Sequence, residues 1–137
     1  MNDINEIKDL ANFCLNCKTK PCSNNGCPLG NNIPLFIKNI KEENYEEAYK
    51  ILSETTVLPA VCGKICPHSK QCQGSCVRGI KQSPVQIGKL ESFLGDIALE
   101  KDFKLEKSIQ SSDKKVAIIG GRTLWTYMCC IFSKKRL

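Results

Sequence analysis

Apolar residues recur at helical spacing in four stretches of this 137-residue chain. Over residues 2–13, Ile4, Ile7, Leu10 and Ala11 share one face with polar residues between them, which predicts an N-terminal helix running into Cys14. Asn32 is placed to cap a second helix with Pro34 in its first turn, and Ile33, Phe36, Ile37 and Ile40 form its buried side. Asn44 can do the same for a third, with Glu46 and Glu47 near its positive end and Ala48, Ile51 and Leu52 facing inward. From about Pro84 a longer pattern runs through Ile87, Leu90, Leu94, Ile97 and Ala98.

Two segments break this periodicity. Cys14 to Gly30 is built of Cys, Asn, Lys, Pro and Gly, and Cys62 to Cys76, after Leu58-Pro59, is a second cysteine-rich loop. The predicted order is helix, Cys loop, two helices, Cys loop, helix. A polar linker over 104–113 follows, and Lys114-Lys115-Val116-Ala117-Ile118-Ile119-Gly120-Gly121 then reads as a buried parallel strand ending on glycines.

Composition adds that the apolar residues other than cysteine make up only about a third of the chain, thin for a core, while ten residues are cysteine. Met1 to Asp9 mix Asp, Glu and Lys without a continuous apolar run, so neither a signal peptide nor a membrane span is expected, and the expected location is cytoplasmic. In that reducing compartment dense cysteines indicate metal ligation or redox chemistry rather than a disulfide framework. The net charge of +6 comes from scattered lysines with no interleaved aromatics, which speaks for a solvated surface and against a nucleic-acid partner.

The cysteines fall in two groups, Cys14-x2-Cys17-x4-Cys22-x4-Cys27-Pro28 and Cys62-x3-Cys66-Pro67-x4-Cys72-x3-Cys76. Eight thiolates on short loops punctuated by Pro and Gly suit two cubane iron–sulfur clusters, whose sulfides accept hydrogen bonds from the loop backbone. Zinc is the rival, since it too takes four thiolates, but its knuckles come as paired C-x2-C units and only Cys14/Cys17 has that spacing. His68 follows Cys66-Pro67 in a polar stretch with no second histidine in the chain, and is expected to be an exposed loop residue.

The runs Cys14-Leu15-Asn16-Cys17, Cys27-Pro28-Leu29-Gly30-Asn31, Leu58-Pro59-Ala60-Val61-Cys62-Gly63-Lys64-Ile65-Cys66-Pro67 and Cys72-Gln73-Gly74-Ser75-Cys76 resemble the N-terminal domain of the NADPH-dependent glutamate synthase small subunit. The same domain opens dihydropyrimidine dehydrogenase, and the likeness continues through Val85-Gln86-Ile87-Gly88-Lys89-Leu90-Glu91 to Gly120 and Gly121. The resemblance implies a mainly α fold, an α-helical ferredoxin-like domain over 1–103 with two 4Fe–4S clusters. It also implies that the loops share ligands: Cys14, Cys17, Cys22 and Cys76 on one cluster, and Cys27, Cys66, Cys72 and Glu91 on the other. Spacing alone would instead give each loop its own cluster, with Cys62 a ligand and Glu91 a surface carboxylate. One departure is that four residues separate Cys22 from Cys27 where the family more commonly has three.

In the family, a strand like 114–121 opens a Rossmann-type FAD-binding domain through G-x-G-x-x-G. Here Gly120 and Gly121 are the remnant of that fingerprint, and Arg122 to Phe132 lack its third glycine. Read one base later, the codons compatible with the tail permit Gly-Pro-Ser-Gly-Leu-Thr-Cys-Ala-Ala-Phe-Leu-Ala-Lys-Lys-Gly, so 122–137 are read as a frameshifted tail and Cys129 and Cys130 leave the ligand count. The expected function is an iron–sulfur electron-transfer module of an NAD(P)H-dependent oxidoreductase, relaying electrons between flavins toward a partner such as the glutamate synthase large subunit. FAD and NADPH belong to the full-length family and are not expected here, nor is turnover by this chain alone, and no catalytic acid, base or nucleophile is needed. The alternatives are a zinc-stabilised interaction module and a non-functional truncated fragment.

Overall fold

The computed structural model describes residues 4–104 together with 117 and 119. The strand over 114–121 with its glycines and the tail 122–137 therefore lie outside the described residues, Ala117 and Ile119 apart. The described residues up to Phe103 belong to one compact unit, which is mainly helical and contains no strand among them.

Five α-helices frame it: α1 (Ile4–Asn12), α2 (Ile33–Lys41), α3 (Tyr45–Ser53), α4 (Pro59–Ile65) and α5 (Ile87–Glu100). The long helix α5 is central. Ile87, Leu90, Phe93, Leu94, Ile97 and Ala98 are all buried along it, and α1, α3 and α4 pack around it while α2 packs on α1 and α3. The stripe predicted for α2 is buried in full, as is the stripe predicted for α3. On α1 only Ile7 and Ala11 are buried, and Ile4 is exposed. The Tyr45 ring meets Phe93 edge-on at 5.5 Å, fixing α3 on α5.

Asn32 and Asn44 occupy the N-cap positions, but neither side chain caps its helix. The Asn32 amide oxygen instead accepts from Lys20 Nζ at 3.0 Å, tying the first loop to α2. The expected loop beginning at Cys62 starts later, because α4 carries Cys62 and ends with Cys66 at its C-cap. Two glycines bring α4 against α5: a Cβ on Gly63 would lie 2.3 Å from the Ser92 amide nitrogen, and one on Gly95 would lie 2.2 Å from that of Ala60. The described helices include none long and apolar enough to cross a membrane.

Candidate metal centres

The first loop is held at both ends. Cys14 N–H donates to Ala11 O at 2.9 Å, extending α1, and Lys41 Nζ donates to Cys14 O at 2.8 Å from the end of α2. Asn16 and Lys20 sit in the left-handed region, at φ 50° and 45°, where non-glycine residues are uncommon, so this loop is bent at a cost. Ser23 Oγ accepts from Ile33 N–H at 3.1 Å, anchoring the loop on the start of α2. The additional residue between Cys22 and Cys27 is taken up as a single π-helical turn, Cys22–Gly26, closed by Cys27 N–H donating to Cys22 O at 2.9 Å. A Cβ on Gly26 would stand 2.8 Å from Cys72 Cα, so this turn is also where the two loops touch.

The eight cysteines divide between two cavities, and the division crosses the loops. Cys14, Cys17, Cys22 and Cys76 line one, walled by Ile33 and Ile37 of α2 and by Val85 and Ile87 at the start of α5, with Arg78 at its side. Cys27, Cys62, Cys66 and Cys72 line the other together with Glu91 and His68. The last cysteine of the second loop thus stands in the first cavity, and the last cysteine of the first loop in the second. All eight are free thiols.

Burial pushes the Cys14 thiol up, with Cys17 and Cys76 adding to it, and pushes Cys22 up to about 11. In the second cavity burial, with the Glu91 charge behind it, raises Cys66, brings Cys62 to about 11 and Cys72 to about 12. Cys62 and Cys66, one turn apart, also act on each other, raising Cys62 and lowering Cys66. Glu91 is 5% exposed, and burial alone raises its carboxyl to about 7. Its carboxylate has no hydrogen-bond or ion-pair partner among the described residues. Isolated charges of this kind are costly to bury, and thiols so raised ionise only beside a strong positive charge.

These features suit a bound iron–sulfur cube. The donors are soft thiolates on the loops and at the end of α4, and the one buried carboxylate among the described residues faces the cavity without a counter-ion. Among the described residues no three His, Cys, Asp or Glu side chains converge on a point as a single metal ion requires; they ring two spaces. His68 departs from the expectation of an exposed loop residue. It is half-buried against the second cavity, its Nε2 is buried without a partner, and its ring occupies the space that Gly88 leaves by lacking a side chain. A motif search for metal ligands discards such a lone histidine, and the only signal in the sequence was its place two residues after Cys66.

Helices wrapped around two thiol-lined cavities define an α-helical ferredoxin-like domain. The chain belongs to the family described as dihydropyrimidine dehydrogenase domain II, 4Fe-4S cluster, which it matches over residues 2–103. It is 36% identical over 116 residues to the glutamate synthase (NADPH) small chain of Escherichia coli, covering 84% of this chain and 24% of that one. It is 40% identical over 93 residues to the same subunit of Azospirillum brasilense, covering 66% and 19%. The NAD-dependent dihydropyrimidine dehydrogenase subunit PreT of Escherichia coli is 34% identical over 110 residues, covering 80% and 26%. The chain spans about a fifth to a quarter of the length of these relatives.

Proposed function

We propose that the domain holds two 4Fe–4S clusters and relays single electrons within an NAD(P)H-dependent oxidoreductase. The observation that carries this reading is the partition of the eight thiols into two separate cavities, each drawing donors from both loops. Cys14, Cys17, Cys22 and Cys76 hold the first cluster. Cys27, Cys66, Cys72 and Glu91 hold the second, with Cys62 in the same cavity as the alternative fourth ligand.

Bound clusters supply one-electron storage and transfer, and the residues of the chain set how readily that happens. Apolar walls exclude water from the first, the carboxylate supplies the charge that a fourth thiolate would otherwise bring to the second, and the Gly26 contact keeps the loops together. In the longer relatives a flavin-reducing activity would feed such a relay, and a large flavoprotein subunit such as that of glutamate synthase is the acceptor this reading favours.

The test is iron and acid-labile sulfide per chain after purification without oxygen, with EPR of the reduced protein. About eight of each, with two interacting signals, is the expected result. Zinc in place of iron would mean that the cavities are structural staples, and absence of both metals would mean that this chain carries no relay.

A further inference from the structure

We infer that Arg78 donates a guanidinium N–H to a sulfur of the cluster in the first cavity, and that its charge makes this cluster the more easily reduced of the two. The inference rests on the two-cluster reading above.

Arg78 follows Cys76 by two residues in a single 3-10 turn, Val77–Ile80, and lines the first cavity. Two contacts with α1's end fix the guanidinium. One nitrogen donates to Phe13 O at 3.3 Å, and the guanidinium carbon stands 4.6 Å from the centre of the Phe13 ring. So held, the side chain leaves its Nε–H buried with no acceptor among the described residues. A buried donor on a charged group without an acceptor is strongly disfavoured, and this unpaired N–H belongs to a residue that borders four thiols. Arg78 also borders clefts lined by Asp9 and by Gln82 and Ser83, none of which bonds Nε; on the side of the first cavity the acceptor on offer is sulfur of a bound cluster or of its thiolates.

The charge has a consequence of its own. Reduction adds a negative charge to a cluster, so a fixed cation beside it favours the reduced state, and hydrogen bonds to its sulfurs act in the same direction. Lys41, bonded to Cys14 O, adds a second cation near the first cavity. The second cavity has no lysine or arginine among its described lining residues and contains Glu91. Electrons delivered to this domain therefore settle on the first cluster.

The experiment uses the full chain carrying its clusters, grown with 15N-arginine and reduced. Pulsed EPR should show a 15N hyperfine coupling that disappears in Arg78→Lys, a change that leaves Arg122 and Arg136 as unaltered controls. In redox titration Arg78→Gln should make one of the two clusters about tenfold harder to reduce, about 59 mV for one electron, with the other unmoved. Arg78→Lys should recover most of that shift because the charge remains.

Wild-type protein with both clusters and no arginine coupling would overturn the hydrogen bond whatever the variants do. Equal midpoints in wild type and Arg78→Gln would overturn the tuning and leave Arg78 as a clamp on Phe13, a role that Phe13→Ala would reproduce by lost stability alone. Protein without iron and sulfide would bring down the two-cluster reading, and this inference with it.

Discussion

The two cavities are built from the same loops and differ in nearly everything else. The first is lined by four thiols, apolar walls from α2 and α5, and an arginine. The second is lined by four thiols, a buried carboxylate and a half-buried histidine, with Asn31, Thr56 and Gln71 around them. Asn31 shows how deliberate the second surroundings are: its amide oxygen accepts from the hydroxyls of Thr55 and Thr56, the latter at 2.8 Å, which fastens the stretch after Cys27 to the end of α3. One fold thus supplies a dry, cationic site and a polar, anionic one, separated by a turn in which Gly26 meets Cys72. On the proposed reading, two clusters held there would differ through these surroundings as well as through the one carboxylate ligand, because charge and solvent access reach a cluster through its surroundings as much as through its ligands.

Removing the metal should have the largest effect. Metal binding supplies on the order of 10 kcal/mol in small metal-stabilised domains, and the second loop has little else to hold it. Anaerobic chelation should abolish hydrogen-exchange protection over 66–76 first, because that stretch has only short turns and Cys72 as a buried apolar residue. Residues 14–27 should keep some protection through the Ser23 and Lys41 anchors. Equal and complete retention in both loops would show that neither depends on metal, and would erase the contrast.

The crossing of the loops is the next comparison to break. Cys76→Ser should remove only the first cluster and Cys27→Ser only the second, each leaving about four irons per chain in place of about eight. The two remaining EPR signals should differ. If Cys76→Ser instead removes the cluster that depends on Cys66 and Cys72, each loop holds its own cluster and the two cavities have been wrongly partitioned.

Much of the frame was legible in the chain. Helices α1, α2 and α3 announce themselves because each buries one side and the periodicity records it, and α5 does so through its long apolar pattern although it is buried on more than one side. Helix α4 does not, since its larger apolar residues Val61 and Ile65 point outward and only Pro59 is buried. It packs through what is missing, Gly63 and Gly95, and hydrophobic spacing cannot register an interface made of absent side chains. The caps at Asn32 and Asn44 were legible as positions but not as hydrogen bonds, because at Asn32 a lysine twelve residues upstream competes for the amide. At the site, the spacing of the cysteines indicates that two groups of four exist; which thiol stands with which is a property of the tertiary path. The crossed grouping came from the family resemblance, and spacing alone pointed elsewhere. The sequence predicts an exposed His68 because the space its ring fills is created by Gly88, twenty residues further on.

The smallest effect, and the one that separates Glu91 from Cys62 as fourth ligand, is in the pH dependence of cluster retention. While the second cavity is empty but still closed over it, the buried Glu91 carboxyl is protonated below about 7; bound to iron it must be a carboxylate. Above pH 7 no proton is displaced from it when the cluster binds, whereas below pH 7 one is, so retention should weaken by an additional factor of about ten per pH unit as the pH falls. The thiols contribute differently. Cys22 at about 11 and Cys72 at about 12 carry protons across the whole working range, so their displacement adds a slope without a break. Comparing Cys76→Ser, which keeps only the second cluster, with Cys27→Ser, which keeps only the first, between pH 5 and 9 should show a break near 7 in the former alone. Glu91→Gln in the Cys76→Ser background should abolish the break and loosen the cluster, while Cys62→Ala should preserve both break and cluster. Were Cys62 the ligand, its thiol at about 11 would give no break near 7, Cys62→Ala would empty the second cavity, and the anionic character that sets this cavity apart would come from an uncoordinated carboxylate.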